Sequence, residues 1–415
     1  MEQLTIKDIP IKDLEGKRVL VRVDYNVPLK KGGKSEITND LRIKASLPTI
    51  QYLIDAKAKV ILVSHLGRPK GFDSTLKLDP VANRLSELLG KKVIKLNDSI
   101  GPEVESVINK LQPQDVCLLE NIRFYKEEEK NDPDFARKLA KPFQIYVNDA
   151  FGTSHRAHAS TAGISAHLNP SLAGLLLEKE VDSLNKILSN PVRPLTTIIG
   201  GSKISTKINI LKTLVSKVDT ILIGGAMAFT FIKAKGGEIG DSLYEQECIS
   251  LIGEIDKLKE EHAVALILPE DMVCAKSSEL STQHSALKKE LHIYPIDRIP
   301  PGYMGLDIGP KTIEKFTKMI SQSMTIFWNG PMGMFEDNDF TVGTKAVAEA
   351  MEKATAKRCI TVIGGGDSVT AIEKFRISFS SFTHVSTGGG AAIEFLEGKT
   401  LPGISCLDKK VSIKK

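Results

Sequence analysis

The arginines of this 415-residue chain are concentrated near its beginning. Eight of the twelve lie before residue 160, whereas the lysines are spread along the whole length. A guanidinium group binds carboxylates and phosphates through paired hydrogen bonds, so this distribution predicts a small-anion site in the first part of the chain. Arg84 and Arg137 lie inside amphipathic stretches and are interpreted as solvated helix residues. The other six are Arg18, Arg22, Arg42, Arg68, Arg123 and Arg156.

Polar side chains follow the apolar runs of this first part. They occupy residues 24–26, 64–69, 120–123 and 148–152, and Ser154-His155-Arg156-Ala157-His158 comes soon after. In open parallel sheets ligands bind beyond the carboxyl ends of the strands, so these residues are expected at one rim. One acid, several amides and repeated arginine or histidine there predict a cationic, hydrogen-bonding pocket for a small phosphorylated acid.

Two of these segments have alternative interpretations. Asp24 could simply cap the loop after the first run, although Asn26 on the same rim favours a pair that binds a hydroxyl group. His155 and His158 are three residues apart and could bind a metal ion. Because no cysteine or second carboxylate cluster completes such a site, the sequence disfavours metal there.

Glycine, in contrast, follows the apolar runs of the second part of the chain. The segments are 200–203, 224–226, 329–331, 364–368 and 388–390. Glycine lets a ligand approach the backbone, and a helix that begins there offers free N–H groups to phosphate. One glycine pair would be weak support, because tight turns often need glycine for structural reasons. Five such segments in one half predict the floor of a nucleotide site.

Several side chains near these glycines have a binding and a structural interpretation. Lys203 and Lys207 are one turn apart and would share a helix face, either at the nucleotide or in solvent. Trp328 and Phe335 fit the core or the side of an adenine ring better than a catalytic role. The sequence contains no Walker A loop, no Asp-Phe-Gly triplet and no Gly-x-Gly-x-x-Gly after the first run, which disfavours the common nucleotide-binding families.

Short β-branched runs separated by helix-length segments must position all of these residues. The runs are 18–23, 60–64, 93–96, 116–119 and 145–147, followed by 195–199, 220–223, 264–268, 325–328, 360–363 and 382–385. Because they are apolar rather than alternating, they predict parallel strands buried on both faces in βα units. The predicted class is α/β.

A chain of this length is expected to form two domains. Apolar residues repeat at intervals of three and four from Leu175 to Leu188, which predicts a helix, and Pro191 and Pro194 would end it. A new apolar run follows at once. The junction between the domains is therefore placed at this helix.

Composition restricts the class of protein further. Apolar residues make up 41% of the chain and charged residues 26%, as in globular proteins, and the net charge of +5 does not by itself indicate a nucleic-acid partner. The sequence has neither a signal peptide at its start nor the roughly 20 apolar residues of a membrane span, so we expect no membrane partner. Five scattered cysteines indicate a reducing cytoplasm.

Ten sequence blocks occur in the order that they take in phosphoglycerate kinases. They are "VRVDYNVP", "SHLGRP", "LENIRF", "DAFGTSHRAHAST", "IGGSKISTK", "IGGAMAFTF", "MGLDIGP", "WNGPMGMFE", "GGGDS" and "STGGGAAIEFLEGK". The resemblance to this family runs from about residue 5 to about residue 405. It implies two doubly wound parallel-sheet domains that face each other across a cleft. The implied divisions are a 3-phosphoglycerate domain at 1–174, a linker helix at 175–190, a nucleotide domain at 191–400 and a tail at 401–415 that returns to the first domain.

The resemblance also implies roles for individual residues. In the first domain Asp24 and Asn26 would hold the hydroxyl and carboxylate of 3-phosphoglycerate, and Arg42 would turn toward the transferring phosphoryl group. The basic patch for the substrate phosphate would be His65, Arg68, Arg123 and Arg156. Arg42, Lys203, Gly365 and Gly388 match the positions that the family uses in catalysis.

In the second domain Lys207 would hold the nucleotide phosphates, Lys203 would follow the transferred group, and Glu336 would bind the ribose. Asp367 matches the ligand of Mg²⁺, and Ser368 would open the helix under the phosphates. The nucleotide-binding positions that the resemblance implies are Gly201, Lys207, Gly225, Gly305, Leu306, Asn329, Pro331, Glu336, Gly365, Gly366, Asp367 and Ser368.

The activity that the resemblance implies is reversible phosphoryl transfer between 1,3-bisphosphoglycerate and ADP, giving 3-phosphoglycerate and ATP, in a cytoplasmic monomer with Mg²⁺. This transfer exchanges two stable oxyanions, so no general base is required. Bending is expected at the linker helix and near Ser386-Thr387. Two departures from the family pattern are Ser202 with Ser205-Thr206 near the lysines, and a basic tail with Lys409, Lys410, Lys414 and Lys415.

Two other classes remain as alternatives. A two-lobed solute-binding protein would also close over a small anion, but it should carry an export signal and lack a glycine-lined magnesium site. A dehydrogenase would bind its cofactor in the second half. A comparison of ADP with NAD in the presence of magnesium would separate these classes.

Overall fold

The computed structural model describes residues 1–30, 36–189, 191–280 and 289–410, and they form two compact units. The first unit comprises residues 1–182 together with residues 400–410, and the second comprises residues 183–399. Each unit contains its own six-stranded parallel sheet. The predicted α/β class with two parallel sheets is therefore confirmed.

The sheet of the first unit has the order β3-β4-β2-β1-β5-β6. Its strands are β1 (Arg18–Arg22), β2 (Lys59–Val63), β3 (Val93–Lys95), β4 (Val116–Leu118), β5 (Ile145–Asn148) and β6 (Ser171–Ala173). Strand β1 is central, with Val21 opposite Leu62 of β2 and Val147 of β5. The five predicted runs are confirmed, but β6 was not predicted, because Ser171-Leu172-Ala173 contains no β-branched residue and lies between Pro170 and Gly174.

Helices accompany this sheet, and most of them have one apolar face. They are α1 (Ile11–Leu14), α2 (Leu41–Asp55), α3 (Asp79–Leu89), α4 (Pro102–Lys110), α5 (Lys126–Glu129) and α6 (Pro133–Ala140). Helix α2 buries Ile43, Ile50 and Leu53, which are spaced by whole helical turns and pack into the core with the residues of β1 and β2. This packing places the amino end of α2, and with it Arg42, beside the carboxyl end of β1.

Helix α7 spans Leu175–Leu188, as the sequence predicted. The buried carboxylate of Asp149 accepts hydrogen bonds from the backbone N–H groups of Leu176 (2.9 Å) and Leu177 (3.3 Å). Asp149 thus satisfies two of the free N–H groups at the start of the helix. The division between the two units falls inside α7, between Asp182 and Ser183.

The second unit contains a parallel sheet and two smaller sheets. Its strands are β7 (Leu195–Ile199), β8 (Thr220–Ile223), β9 (Glu238–Ile239), β10 (Ala265–Ile267), β11 (Asp271–Lys276), β12 (His292–Pro295), β13 (Arg298–Ile299), β14 (Tyr303–Ile308), β15 (Thr325–Asn329), β16 (Ile360–Gly364) and β17 (His384–Val385). The parallel sheet has the order β10-β8-β7-β15-β16-β17, which confirms all six predicted runs of this half.

The antiparallel sheet β12-β11-β14 and the pair β13-β9 were not predicted. Their strands mix polar and apolar residues, and β11 changes register against β14 between Val273 and Cys274. Such strands are stabilised by pairing between distant segments, which a search for apolar runs does not detect. The sheet places Gly305 and Leu306, on β14, in the lining of a cavity described below.

The helices of the second unit follow its strands. They are α8 (Ile208–Leu214), α9 (Met227–Ala234), α10 (Ile249–Glu261), α11 (Ser277–Leu280), α12 (Pro310–Ser321), α13 (Val342–Ala356), α14 (Gly366–Lys374) and α15 (Gly390–Leu396).

The start of α8 corrects the prediction that Lys203 and Lys207 share a helix face. Both lysines precede the helix, which begins at Ile208. The backbone N–H and the hydroxyl of Ser205 both donate to the carboxylate of Glu245, at 2.8 and 2.6 Å. Serine bonds of this kind compete with helix formation, so residues 203–207 form a turn instead.

The end of the described chain packs on the first unit through a last helix, α16 (Pro402–Ser405). Asn148 Nδ2 donates to the carbonyl oxygen of Gly403 (2.6 Å), and the N–H of Gly403 donates to the carbonyl oxygen of Ser154 (2.9 Å). Further along, Lys410 N–H donates to the carbonyl oxygen of Glu2 (2.9 Å). Lys414 and Lys415, which the sequence pointed out, lie outside the described residues.

Replacing Gly403 with alanine is expected to weaken this packing. A Cβ at residue 403 would stand 2.9 Å from Ser154 Cα, a backbone atom that cannot easily move away. Overpacking of this kind costs about 1 to 3 kcal/mol. Thermal unfolding should therefore show a lower Tm for Gly403→Ala.

The matched control is Gly253→Ala in α10, where an added Cβ meets no atom within 4 Å. Alanine favours a helix over glycine by about 1 kcal/mol, so this variant should be as stable as the parent or more so. Equal Tm values for Gly403→Ala and the parent would contradict the prediction.

Candidate functional site

In the first unit, the predicted residues at the end of β1 lie together. Arg42 Nη1 is 3.2 Å from Asp24 Oδ1 and 3.1 Å from Asp24 Oδ2, and it donates to the backbone oxygen of Asn26 at 3.0 Å. The N–H of Asn26 donates to Asp24 Oδ1 at 3.1 Å. One carboxylate thus organises both the loop after β1 and the arginine at the start of α2.

The loop after β2 is fixed to the same rim. The N–H of Gly67 donates to Asn26 Oδ1 (2.8 Å), and Arg123 Nη1 donates to the carbonyl oxygen of Gly67 (2.8 Å). Asn121 Oδ1 accepts from the N–H of Leu66 at 3.1 Å. The ends of β1, β2 and β4 are therefore joined by hydrogen bonds, and Arg68 follows in the same loop with an exposed side chain.

The buried ring of His65 lies at the centre of the positive charge. Burial is the main cause that holds the pKa of His65 well below its usual value, and the charges of Arg22, Arg123, Arg42 and Arg156 lower the pKa further. His65 is therefore neutral at pH 7. Because four guanidinium groups act on one ring, the structure brings together the arginines that the sequence placed in separate segments.

Two members of this cluster have additional partners. Arg156 Nε donates to His155 Nε2 at 3.1 Å, and Arg123 Nε is 3.3 Å from the Glu129 carboxylate. Arg123 Nη2 is buried, and within the described ranges no atom accepts a hydrogen bond from it. Since a buried N–H group without an acceptor is costly, this atom is suited to an anionic ligand.

Arg22 belongs to this cluster, although the sequence analysis gave it no role in the site. Its side chain is 0% exposed, and its Nη2 lies 3.2 Å from His65 Nδ1. A signal was present in the sequence, because Arg22 stands between the apolar residues Val19-Leu20-Val21 and Val23, and an arginine buried among such residues needs partners.

In the second unit, glycines allow three loops to approach one another closely. The N–H of Gly200 donates to the carbonyl oxygen of Asn329 (2.9 Å), the N–H of Gly201 to that of Pro331 (2.9 Å), and the N–H of Gly225 to that of Met332 (3.0 Å). A Cβ at Gly200 would overlap the carbonyl oxygen of Pro331. Any side chain there would separate the ends of β7 and β15.

A cavity of about 270 Å³ opens above these loops. Seven predicted nucleotide residues line it: Gly201, Gly225, Gly305, Leu306, Pro331, Glu336 and Asp367. The apolar part of its lining was not predicted from the sequence and comes from Leu243, Met272, Met304, Met332 and Met334. The sequence signal for this lining was the presence of methionines near the motif glycines. That signal is weak, because methionine is as common in protein cores as in binding sites. An apolar cavity with a polar edge is suited to a flat base and its sugar.

Gly305 sets one wall of the cavity. A Cβ there would overlap the ring of Phe229 of helix α9, so only glycine allows the two elements to pack this closely. Trp328 and Phe335 are both buried and do not line the cavity, which favours the core interpretation of these two side chains.

The phosphate-binding candidates lie at the start of α14. Gly365 has φ +90°, and the N–H of Gly330 donates to the buried hydroxyl of Ser368 at 2.7 Å. Ser368 therefore ties the end of β15 to the first turn of α14. The N–H groups of Gly366 and Asp367, in that same first turn, have no partner within the helix and are suited to an anion.

Lys207 and Asn329 meet beside this helix. Lys207 Nζ donates to Asn329 Oδ1. Burial lowers the pKa of Lys207, and the negative charge of Asp367 opposes this shift. Asn329 Nδ2 is buried and has no acceptor within the described ranges, and a Cβ at Gly365 would stand only 2.7 Å from it.

The other two predicted catalytic positions, Lys203 and Gly388, lie apart from the cavity lining. Lys203 is exposed in the turn before α8. The N–H of Gly388 donates to the hydroxyl of Ser386 (3.1 Å) in the loop before α15. Neither residue lines the cavity.

Metal binding can be judged from the acidic and histidine side chains. Across the described ranges, no group of three or more His, Cys, Asp or Glu residues could enclose an ion. Mg²⁺ keeps several water ligands and is commonly held by one or two carboxylates plus substrate phosphates. The exposed carboxylate of Asp367, at the edge of the cavity, fits that mode of binding.

Comparison with known proteins gives a consistent result. The profile of the family described as phosphoglycerate kinase matches residues 6–399. The phosphoglycerate kinase of Dictyoglomus turgidum is 54% identical over 410 residues, covering 99% of this chain and all of that protein. That of a Nostoc species is 51% identical over 409 residues, with the same coverage.

Solved structures agree. A phosphoglycerate kinase structure from Coxiella burnetii superposes with a TM-score of 0.83 at 40% identity, covering 97% of this chain and 98% of that one. One from Pyrococcus horikoshii superposes with a TM-score of 0.81 at 31% identity and the same coverage. With sequence, fold and the placement of the motif residues in agreement, this chain belongs to the phosphoglycerate kinase family.

Proposed function

We propose that this chain catalyses the reversible transfer of a phosphoryl group from 1,3-bisphosphoglycerate to ADP, giving 3-phosphoglycerate and ATP. Membership of the family supports the reaction class. The observation that carries the proposal is the cluster of positive charge at one rim. Arg22 Nη2 lies 3.2 Å from the buried ring of His65, Arg42 contacts Asp24 beside that ring, and Arg123 binds the loop after β2. So much fixed positive charge at one rim favours a small, multiply charged anion, as 3-phosphoglycerate is.

The first unit holds the three-carbon acid in this proposal. Asp24 and Asn26 bind its hydroxyl and carboxylate, and His65, Arg68, Arg123 and Arg156 bind its phosphate. The unpaired Nη2 of Arg123 supports this assignment, because a phosphate oxygen would supply the acceptor that this atom lacks.

Arg42 has a different role from the other arginines. Its contacts with Asp24 hold it at the rim, where a modest change of side-chain rotamers would direct it toward a second ligand. We assign it to the phosphoryl group in transit, whose charge it would stabilise without contributing equally to binding of the acid.

The second unit holds the nucleotide. The apolar cavity receives the base, Glu336 at its edge binds the ribose, and Lys207 with the start of α14 binds the phosphates. Lys203 follows the transferred group, Asn329 offers its free Nδ2 to the nucleotide, and Gly365 and Gly388 are assigned to the transfer step.

Mg²⁺ would be held by Asp367 together with the nucleotide phosphates, and it would neutralise their charge during the reaction. No side chain needs to act as a general base, because the attacking phosphate oxygen is already an oxyanion and the leaving oxygen departs as a stable carboxylate. The residues of this chain bind, orient and neutralise charge, which is sufficient for this class of transfer.

Transfer between ligands on two units requires a conformation in which they are adjacent and water is excluded. We propose that bending at helix α7 and near Ser386-Thr387 provides this conformation. In this proposal, residues 1–174 bind the acid and residues 191–400 bind the nucleotide. Residues 175–190 form the linker helix between them, and the tail at 401–415 returns to the first domain. Packing of Gly403 on Ser154 supports the last of these assignments.

We further propose a cytoplasmic monomer without nucleic-acid partners. All five cysteines are free thiols, and burial raises the pKa of Cys117 and Cys274 to about 12, which keeps both unreactive. This usage fits a reducing compartment. Within the described part of the chain, no helix is both long enough and apolar enough to span a bilayer.

The reaction itself is tested by a coupled assay with 3-phosphoglycerate, ATP and Mg²⁺. We expect turnover that requires all three, and a thermal shift with ADP and Mg²⁺ that NAD does not produce. Absence of turnover with purified, folded protein would contradict the proposed function, and a thermal shift with NAD alone would favour a dehydrogenase.

Replacement of Arg42 with alanine tests its assignment to the transferring group. We expect kcat to fall about 10² to 10³-fold, as for other groups that stabilise charge in a transition state. The Kd of 3-phosphoglycerate, measured by calorimetry, should change much less. Arg137→Ala, at an exposed arginine paired with Asp134, should leave both unchanged. An unaltered kcat for Arg42→Ala would remove Arg42 from the transfer step.

Replacement of Lys207 with alanine tests the nucleotide site. Loss of a charged hydrogen bond to phosphate should raise the Michaelis constant for ATP about tenfold or more, with little effect on that for 3-phosphoglycerate. The control is Lys212→Ala, which breaks only a surface ion pair with Glu254. A Michaelis constant for ATP equal to that of the parent would place Lys207 outside the site.

A further inference from the structure

Arg22 is the member of the arginine cluster to which the proposed function gives no ligand. It lies on the central strand β1, and its side chain is 0% exposed. Its guanidinium makes three hydrogen bonds inside the protein. Nε donates to Ser160 Oγ (2.9 Å), Nη1 donates to the carbonyl oxygen of Val23, and Nη2 lies 3.2 Å from His65 Nδ1.

The hydrogen bond between Arg22 and His65 can run in one direction only, from the guanidinium group to the ring nitrogen. A guanidinium group can only donate hydrogen bonds, so Nδ1 of His65 must present its lone pair to Arg22. In a neutral imidazole one nitrogen donates and the other accepts, which places the proton of His65 on Nε2. The opposite tautomer, or a protonated ring, would set one N–H group against another inside the protein.

The other end of Arg22 is fixed by an acid. Ser160 Oγ donates to Glu128 Oε1 (2.6 Å), and the N–H of Ser160 donates to Glu128 Oε2 (2.8 Å). Glu128 is 0% exposed, and burial raises its pKa, whereas the charge of Arg22 is the largest of the influences that lower it. Because both carboxylate oxygens accept a hydrogen bond from Ser160, the ionised form of Glu128 satisfies this arrangement.

Ser160 therefore links Arg22 to Glu128 through hydrogen bonds whose direction is fixed. Its single hydroxyl proton is used by Glu128, so the oxygen can only accept from Arg22. The order of donation is Arg22 to Ser160 to Glu128 on one side and Arg22 to His65 on the other. Rotation of the guanidinium would break bonds at both ends.

Other charged groups surround both ends of this arrangement. Asp24 Oδ1 is 3.9 Å from His65 Nδ1, farther than Arg22, and Arg42, Arg123 and Arg156 also act on the ring. On the other side, His158 Nδ1 is 3.8 Å from Glu128 Oε1, and burial lowers the pKa of His158 to about 4, so it adds no charge at pH 7.

We propose that Glu128, Ser160 and Arg22 act as positioning residues that fix the tautomer of His65, so that Nε2–H is offered to the bound acid as a neutral donor. The identity of that acid rests on the proposed function. A ring with the opposite tautomer would turn a lone pair toward an anion, and a mixture of tautomers would leave part of the protein unable to bind it. Fixing one tautomer removes that competing population.

The proposal can be tested on the unaltered protein by NMR. Protein labelled with ¹⁵N-histidine would be measured at pH 7, and the His65 signals assigned as those lost from a His65→Gln sample. We expect Nδ1 in the unprotonated, pyridine-like range and Nε2 in the protonated, pyrrole-like range. A protonated Nδ1, or fast exchange between tautomers, would overturn the proposal.

Two variants separate a fixed hydrogen-bond network from simple positive charge. Ser160→Ala removes the link to Glu128, and Arg22→Lys keeps the charge but replaces the fork of donors with a single ammonium group. We expect both to give mixed tautomers of His65 and to raise the Michaelis constant for 3-phosphoglycerate about tenfold, leaving that for ATP unchanged. Ser321→Ala, at a helix surface where Oγ donates only to the carbonyl oxygen of Lys318, is the control.

If Arg22→Lys behaves as the parent in both the tautomer and the Michaelis constant, charge alone suffices and the positioning role is wrong. If a variant does not fold, the spectrum of the unaltered protein still decides. Failure of the proposed function has a different signature, in which Nε2 of His65 is protonated but 3-phosphoglycerate and ATP do not react.

Discussion

The accumulation of positive charge beside a buried histidine is the constraint on which the first unit depends. Two like charges 4 Å apart repel by about 4 kcal/mol at an effective dielectric constant of 20, so several guanidinium groups at one rim would oppose folding. The fold offsets this repulsion with acids placed among the arginines. Asp24 contacts Arg42, Glu129 contacts Arg123, and the buried Glu128 reaches Arg22 through Ser160. An anionic ligand would relieve the repulsion that remains, which supports the proposed binding of a phosphorylated acid by this unit.

In the second unit, the proposed phosphate site is formed mainly by backbone groups rather than by charged side chains. Its glycines let the ends of β7, β8 and β15 approach within hydrogen-bonding distance, and the start of α14 presents free N–H groups beside them. Few fixed charges are needed, because a helix amino terminus already favours an anion. The apolar cavity would add binding free energy that depends on shape. This suits a nucleotide, because its base is flat and the number of its phosphates changes during the reaction.

This contrast matches the demands of phosphoryl transfer. In the proposed function, a small acid with few atoms is held by strong, directional charge, which agrees with a site rich in arginine. A larger nucleotide can be held through many weaker contacts, and it must leave after each turnover. The free edges of both sites, at Arg42 and at Asp367, carry the groups that we assign to the phosphoryl group and to its metal ion.

The sequence by itself determined the α/β class, the eleven parallel strands with apolar runs, the helix at Leu175–Leu188 and the motif residues, because each leaves a local pattern of apolar spacing or glycine. The short strand β6, the antiparallel sheet, the turn at Ser205 and the role of Arg22 were decided only by tertiary structure. Each of these depends on a partner far away in the sequence, such as Ala173 beside Asn148, Glu245 with Ser205, and Ser160 with Arg22. A local pattern shows that an arginine is buried, but only the folded chain shows which groups surround it and in which direction its hydrogen bonds run.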